Sequence, residues 1–252
     1  MKKVFSDNWE SKQEEIDRLV RDFDSKGESV HDERNHLKNY LLEGKKITIK
    51  SFQKPNFINK IAYRFFRKSK ARRSFEHAQI LLDKDIGTPE PIAYYENKKG
   101  LIFGKSFYVS EYIEYDLTYR EIIHDPNFPN RHEILKQFTR FTHKLHENGI
   151  EFLDHSPGNT LIIVNENNDY DFFLVDLNRM KFHQTMDYQT CIQNFRKLTS
   201  DKNMVATMSA EYAKITGRDY HQVFKDMWEN TQKFQQHYHQ RRKLKKNLLF
   251  WR

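Results

Sequence analysis

A change of hydrophobic period along the chain limits its fold more than any other feature. Lys45 to Phe52 reads K-K-I-T-I-K-S-F, which sets Ile47 and Ile49 on one face of a strand and Thr48 and Lys50 on the other. Pro91–Tyr95 and Leu101–Ile113 read as two further strands around an Asn97-Lys98-Lys99-Gly100 turn. Between these strands, Phe75, Ala78, Leu81 and Leu82 predict a helix over 70–84, stopped by Gly87 and Pro89. Trp9, Ile16, Leu19, Val20 and Phe23 predict another over 9–23. Ile134, Leu135, Phe138, Phe141, Thr142 and Leu145 then define a long amphipathic helix over 131–148, which Gly149 ends. Two short apolar strands, 161–164 and 172–175, flank a polar turn, and beyond Arg179 only helical tracts follow, near 186–199, 203–216 and 219–240. Strands with one helix, a long helix, a short hairpin and then helices alone make an α+β chain without internal repeats.

At 252 residues the chain suits one large domain or two joined lobes. Leu, Ile, Val and Phe supply about a quarter of the residues, above the roughly 20% below which a charged chain stays disordered. No apolar run approaches the ~18 residues of a membrane span. Cys191 is the single cysteine, so no intramolecular disulfide forms, and Ser6, Asp7, Asn8 and Glu10 stand where a signal peptide would be apolar. A cytoplasmic location is the expectation. The net charge of +8 is concentrated. Residues 54–73 hold Lys54, Lys60, Arg64, Arg67, Lys68, Lys70, Arg72 and Arg73 with no acid, and 241–252 hold Arg241, Arg242, Lys243, Lys245, Lys246 and Arg252. The rest of the chain carries −6, so any polyanion would be drawn to these two segments.

The chemistry points to the loop after the long helix, Glu151-Phe152-Leu153-Asp154-His155-Ser156-Pro157-Gly158-Asn159. Asp154 and Asn159 lie five apart, and Asp176 follows directly after the second short strand. A carboxylate for a nucleophilic hydroxyl, with an Asn and a second carboxylate for a hard metal ion, is what phosphoryl transfer requires. An Asp-x₄-Asn spacing alone more often marks a capped turn.

With the order of elements around it, this set resembles the protein-kinase-like superfamily. The resemblance covers about residues 25–200 and implies a two-lobed fold, with an antiparallel-sheet N-lobe containing one helix over 25–112 and a mainly helical C-lobe over 113–252, placed after the N-terminal helix that periodicity puts within 1–24. It implies ATP and Mg²⁺ as cofactors, with Asp154 as catalytic base and Asn159 and Asp176 as metal ligands. Lys50 would hold the nucleotide phosphates in an ion pair with Glu76, and Glu111, Tyr112 and Ile113 would run beside the adenine. The glycine-rich loop is missing, with only Gly27 at about the right place, and Asp176-Leu177-Asn178-Arg179 replaces Asp-Phe-Gly. Within the superfamily, D-L-N-R at 176–179, the basic stretch before Glu76 and T-P-E-P-I at 88–92 look most like the lipopolysaccharide core kinases, which phosphorylate Kdo or heptose at the cytoplasmic face of the inner membrane. The implied partners are a lipid-linked anionic sugar and an anionic membrane surface, which Leu248, Leu249, Phe250 and Trp251 would help to anchor.

Two alternatives are a catalytically silent kinase-fold binding protein and an aminoglycoside-type small-molecule kinase, although a cationic acceptor suits acidic surface better than basic. Nucleic acid stacking on Phe57, Tyr63, Phe65 and Phe66 is a lesser alternative. His143 with His146, His237 with His239, and Cys191 read as structural or surface residues before they read as ligands or nucleophiles. Arg179 is a candidate contact for substrate or phosphate.

Overall fold

The computed structural model describes residues 1–25, 27–30, 35–52, 68–99 and 102–249, and the chain forms two compact units. The first comprises Met1–Glu114 with Asp176–Asn178, the second Tyr115–Val175 with Arg179–Arg252. No described helix is long and apolar enough to cross a membrane.

The first unit is built on an antiparallel sheet. Its elements are β1 (Lys2–Phe5), a 3₁₀ turn (Asp7–Lys12), α1 (Gln13–Arg21), β2 (Glu28–Val30), β3 (Asn35–Leu42), β4 (Lys45–Phe52), α2 (Lys70–Asp83), β5 (Pro91–Lys99) and β6 (Ile102–Glu111). Six described strands lie in the order β1-β5-β6-β4-β3-β2. The alternation in β4 divides the sheet as its sequence requires. Ile47 and Ile49 are wholly buried with Trp9, Ile16, Val20 and Phe23, whereas Phe52 packs with Ala71, Phe75 and Tyr94 on the α2 side. Lys50 shares the parity of Phe52 and therefore this second side. Ser69 caps α2 by accepting from the Arg72 amide at 3.0 Å. The expected helix over 9–23 starts as the 3₁₀ turn and becomes α-helical only at Gln13. The expected turn at 97–100 is displaced, because β5 runs on to Lys99, with Lys98 opposite Phe103 and Lys99 opposite Ile102. Most of the first basic segment, 54–67, lies outside the described residues, as do Gly100, Leu101 and the anchor residues Phe250 and Trp251.

The second unit contains β7 (Leu117–Thr118), α3 (Tyr119–His124), α4 (Arg131–Glu147), β8 (Ile150–Phe152), β9 (Thr160–Val164), β10 (Tyr170–Leu174), β11 (Met180–Phe182), α5 (Tyr188–Asn194), α6 (Lys202–Thr216) and α7 (Tyr220–Leu249). Strands β10, β9 and β7 form one small antiparallel sheet, and β11 pairs with β8. Thr118 and Glu121 close a capping box on α3. Phe138 of α4 is wholly buried among Tyr119, Phe172 and Met208, and Arg140 reaches across to the buried carboxylate of Glu211 on α6 at 2.6 Å. Gly149 turns the chain from α4 into β8 at φ +71, and a Cβ there would come within 2.1 Å of the His183 carbonyl oxygen, so only glycine fits.

Two histidines are sealed into this core. His146 shares a 3.1 Å hydrogen bond with the Tyr212 hydroxyl, whereas His155 lies against Phe138 and Phe152 with neither ring nitrogen partnered among the described residues. Burial pushes His146 down to about 4, and burial, His146 and Lys197 together push His155 down to about 3. Both stay neutral in the folded chain while the unfolded chain takes up protons below its ordinary value of 6.5. Their stabilising effect is complete above that value and is lost as pH falls towards 4 and 3, at up to about 1.4 kcal/mol per pH unit for each histidine. The thermal unfolding midpoint should therefore drop between pH 6.5 and 5, with a shallower slope in His155→Phe. Equal slopes in the wild type, His155→Phe and His146→Phe would contradict this.

Candidate active site

In the first unit, Lys50 on β4 donates to Oδ1 of Asp176 and is only 12% exposed. Asp176 sits in the left-handed region at φ +62, which Asp tolerates better than most residues. Its neighbour Leu177 is buried, and the Leu177 carbonyl accepts from His77 Nδ1 on α2 at 2.7 Å, which fixes the segment to that helix. Asp176 Oδ2 has no partner among the described residues.

The expected Lys50–Glu76 pair is not made. Glu76 lies on α2, on the sheet side that Lys50 also takes, but accepts instead from Arg72 and Lys68, both at 2.8 Å. Arg72 is one helical turn away on the same face, so this contact needs no long-range ordering. Burial opposes ionisation of Glu76, yet the bonds from Lys68 and Arg72 outweigh it and hold the carboxyl below its usual range. Asp176 takes the position expected of Glu76.

At the end of β6, the Glu111 amide donates to the Glu90 carbonyl at 2.9 Å and the Tyr112 amide to that of Lys46 at 3.0 Å. The Lys46 ammonium lies 3.9 Å from the centre of the Tyr112 ring. Of the three residues expected beside the adenine, only Ile113 keeps its amide without a partner among the described residues. Gly27 adopts φ +95 with the Tyr40 ring 2.5 Å from where a Cβ would stand, so its freedom serves a close packing contact.

In the second unit, β8 leads into the Asp154 loop. The Leu153 amide donates to the Arg179 carbonyl at 3.0 Å, and Asn194 Nδ2 holds the Phe152 carbonyl at 2.9 Å. Pro157 opens a 3₁₀ turn that brings Asn159 back, so its Nδ2 donates to the Asp154 carbonyl at 2.8 Å. That bond consumes the amide nitrogen and leaves Asn159 Oδ1 unclaimed among the described residues. The Val175 amide donates to the Asn159 carbonyl at 3.0 Å, and Asp176 follows as the next residue. The Asp154 carboxylate, one third exposed, lies 3.2 Å from Lys197 Nζ through Oδ1 and 3.6 Å from Arg179 through Oδ2. Arg120 approaches from α3, its guanidinium 2.5 Å from where a Cβ on Gly158 would stand.

No described trio of His, Cys, Asp or Glu forms a metal cage. Mg²⁺ does not need one, since it binds through one or two protein oxygens together with phosphate oxygens and water. The unclaimed oxygens of Asp176 and Asn159 are donors of that kind. The other candidates resolve as structural: His143 pairs with Glu147 at 3.4 Å, His146 serves the Tyr212 contact, and the Cys191 thiol is buried, which pushes it up. Sequence reasoning missed Lys197. A lone lysine after a helix has no pattern, and the signal available was indirect: a catalytic-type loop with no cation of its own.

No curated protein matches the sequence. Among solved structures, the chain is similar to WaaP in complex with acyl carrier protein, with a TM-score of 0.62 at 14% identity over 94% of this chain and 97% of that one. It is more distantly similar to the Rio2 kinase–ADP/Mg²⁺–phosphoaspartate complex from Chaetomium thermophilum, with a TM-score of 0.49 at 13% identity over 88% and 75%. The architecture is thus the two-lobed protein-kinase-like fold, with a small antiparallel-sheet lobe and a mainly helical one. Residues 9–226 match the family described as lipopolysaccharide kinase (Kdo/WaaP), and since that stretch takes in both units, the chain belongs to this family of kinases.

Proposed function

We propose that the protein transfers the γ-phosphoryl group of ATP to a hydroxyl of an anionic inner-core sugar of lipopolysaccharide, Kdo or heptose. The observation that carries the reading is the division of labour between the units. A nearly buried Lys50 pairs with a partly exposed Asp176 in one, and Asp154 and Asn159 are locked into one loop by a hydrogen bond in the other. A binding module would need neither arrangement.

In this reading Lys50 binds phosphate oxygens of the nucleotide, and the Ile113 amide offers a donor to the base. Asp176 Oδ2 and Asn159 Oδ1 would hold Mg²⁺, which when bound neutralises charge on the phosphates. Asp154 accepts the proton of the acceptor hydroxyl as its oxygen forms the new O–P bond. The bond from the γ-phosphorus to the β–γ bridging oxygen breaks, and ADP leaves with that electron pair.

The cytoplasmic face of the inner membrane is the proposed place of action. In the first basic segment Lys68 and Arg72 pair with Glu76, and on α7 Arg241, Arg242 and Lys243 stand exposed beside an exposed Leu244, so the α7 cluster is the one assigned to the membrane in this reading. Each such cation contributes about 1 kcal/mol near an anionic surface, and less as salt rises. Acyl carrier protein, seen with a structural relative, is a candidate partner that co-purification would check.

The test supplies labelled ATP, Mg²⁺ and lipid-linked inner-core acceptor in vesicles with or without anionic lipid, beside the soluble sugar. Label should enter the acceptor fastest on anionic vesicles at low salt. Removal of residues 241–252 should erase that advantage and spare transfer to the soluble sugar. No labelled acceptor of either kind would overturn the reading, and transfer indifferent to lipid charge would overturn the membrane part alone.

A further inference from the structure

From Asp154 to Asn159 the loop reads Asp-His-Ser-Pro-Gly-Asn and contains no lysine or arginine. A carboxylate there, one third exposed, can turn about two side-chain bonds unless something holds it, and misplacement by about 1 Å costs roughly 100-fold in rate. The holding group comes from 43 residues further on. Lys197 lies between α5 and α6, and its ammonium donates to the Leu153 carbonyl at 2.5 Å and to Asp154 Oδ1 at 3.2 Å. Its two acceptors are consecutive residues of one loop, so it fixes the carboxylate relative to the backbone that carries it.

The platform under Lys197 is rigid. Phe195 and Leu198 on either side are buried in the core of the second unit, and Asn194 is bonded to the Phe152 carbonyl, one residue before Leu153. Lys197 itself is 21% exposed. On the other carboxylate oxygen, Arg179 is 58% exposed and stands at 3.6 Å, beyond a good hydrogen bond. The two oxygens of Asp154 are thus unequal, one bonded by the ammonium of a largely buried lysine side chain and the other beside an exposed arginine.

We propose that Lys197 is a positioning residue for phosphoryl transfer, pinning Asp154 Oδ1 so that Oδ2 is the oxygen presented to the acceptor hydroxyl. This rests on the reading of Asp154 as the base. An incidental surface ion pair would not bond the loop backbone as well, nor be anchored by buried neighbours on both sides.

The experiment compares Lys197→Ala, Lys197→Met and Lys197→Arg with Asp154→Asn, using ATP, Mg²⁺ and the soluble sugar. Turnover should fall about 10- to 100-fold in the Ala and Met variants, with either KM changed by less than about threefold. Lys197→Arg should recover much of the loss, and millimolar methylamine or ethylamine should restore part of the activity of Lys197→Ala. Such restoration separates positioning from stability, because the amine returns the missing ammonium without repairing the chain, while Lys197→Met, which keeps the hydrocarbon stem, controls for lost packing. Near wild-type turnover in the Ala and Met variants, with Asp154→Asn inactive, would overturn the proposal and leave the reading of Asp154 intact. So would a loss that neither amine nor arginine repairs and that follows a lowered unfolding temperature. If Asp154→Asn were itself active, the reading of Asp154 would fail first.

Discussion

Asp154→Asn should leave nucleotide affinity nearly unchanged and lower turnover by roughly 10²- to 10⁴-fold, the range for loss of a positioned acid or base. The amide is almost isosteric, and the loop geometry does not depend on the carboxylate. The Leu153 amide, the Asp154 carbonyl and the Asn159 side chain make bonds that the substitution leaves alone. Lys197 also retains the Leu153 carbonyl. The variant should therefore unfold near the wild-type temperature, so that the rate reports chemistry. Titration calorimetry with ATP and Mg²⁺, paired with a turnover assay, checks both halves, and retention of more than about a tenth of the activity would remove Asp154 from this role.

Asp176→Ala should have an effect of similar size, but on binding. Changes to groups that merely support metal ligands cost about 10- to 100-fold in metal affinity, so loss of a ligand should cost at least that for ATP with Mg²⁺. It also leaves the Lys50 ammonium, only 12% exposed, without its carboxylate, an arrangement that desolvation penalises. Lys50→Ala should likewise weaken ATP binding. Glu76→Gln is the informative control, because its partners are Arg72 and Lys68: it should change nucleotide affinity little and cost no more than about 0.5 kcal/mol in stability, the scale of a helix-surface pair. Unchanged affinity in Asp176→Ala, or a Glu76→Gln loss as large as that of Lys50→Ala, would reverse the assignment of Lys50 to Asp176.

The parts of this chain that could be read in advance are those whose periodicity is local. Strand β4 declares itself because Ile47 and Ile49 face a helix while Lys50 and Phe52 face the other way, and α2 and α4 fill their stripes with large apolar residues at helical spacing. Strand β3 escaped because its buried positions include Asn39, whose amide oxygen accepts from Thr48, and a polar residue there hides the alternation. Strands β1, β7, β8 and β11 run two to four residues each and owe their existence to partners distant in sequence, which no short window contains. Asp154, Asn159 and Asp176 stood out only when their spacing was taken with the order of elements around them, since the spacing alone more often marks a capped turn. The partner of Lys50 did not stand out, because the contest for Glu76 is decided by geometry, although Arg72 four residues before it was a cue in plain sight.

The three residues Asp176–Asn178 count with the first unit, although the chain on either side of them counts with the second. A polypeptide ending at Glu114 would hold every strand of the six-stranded sheet and still be an incomplete object. It would lack the carboxylate that neutralises Lys50 and the carbonyl that His77 engages. Cut at that seemingly natural boundary, the sheet lobe should dissolve poorly and bind nucleotide weakly, and a synthetic peptide spanning 176–178 with its flanks should be its best stabiliser. The boundary between the units is therefore one that evolution could not easily exploit for shuffling: a gene fragment encoding the sheet alone would carry the lysine away from the aspartate that completes it.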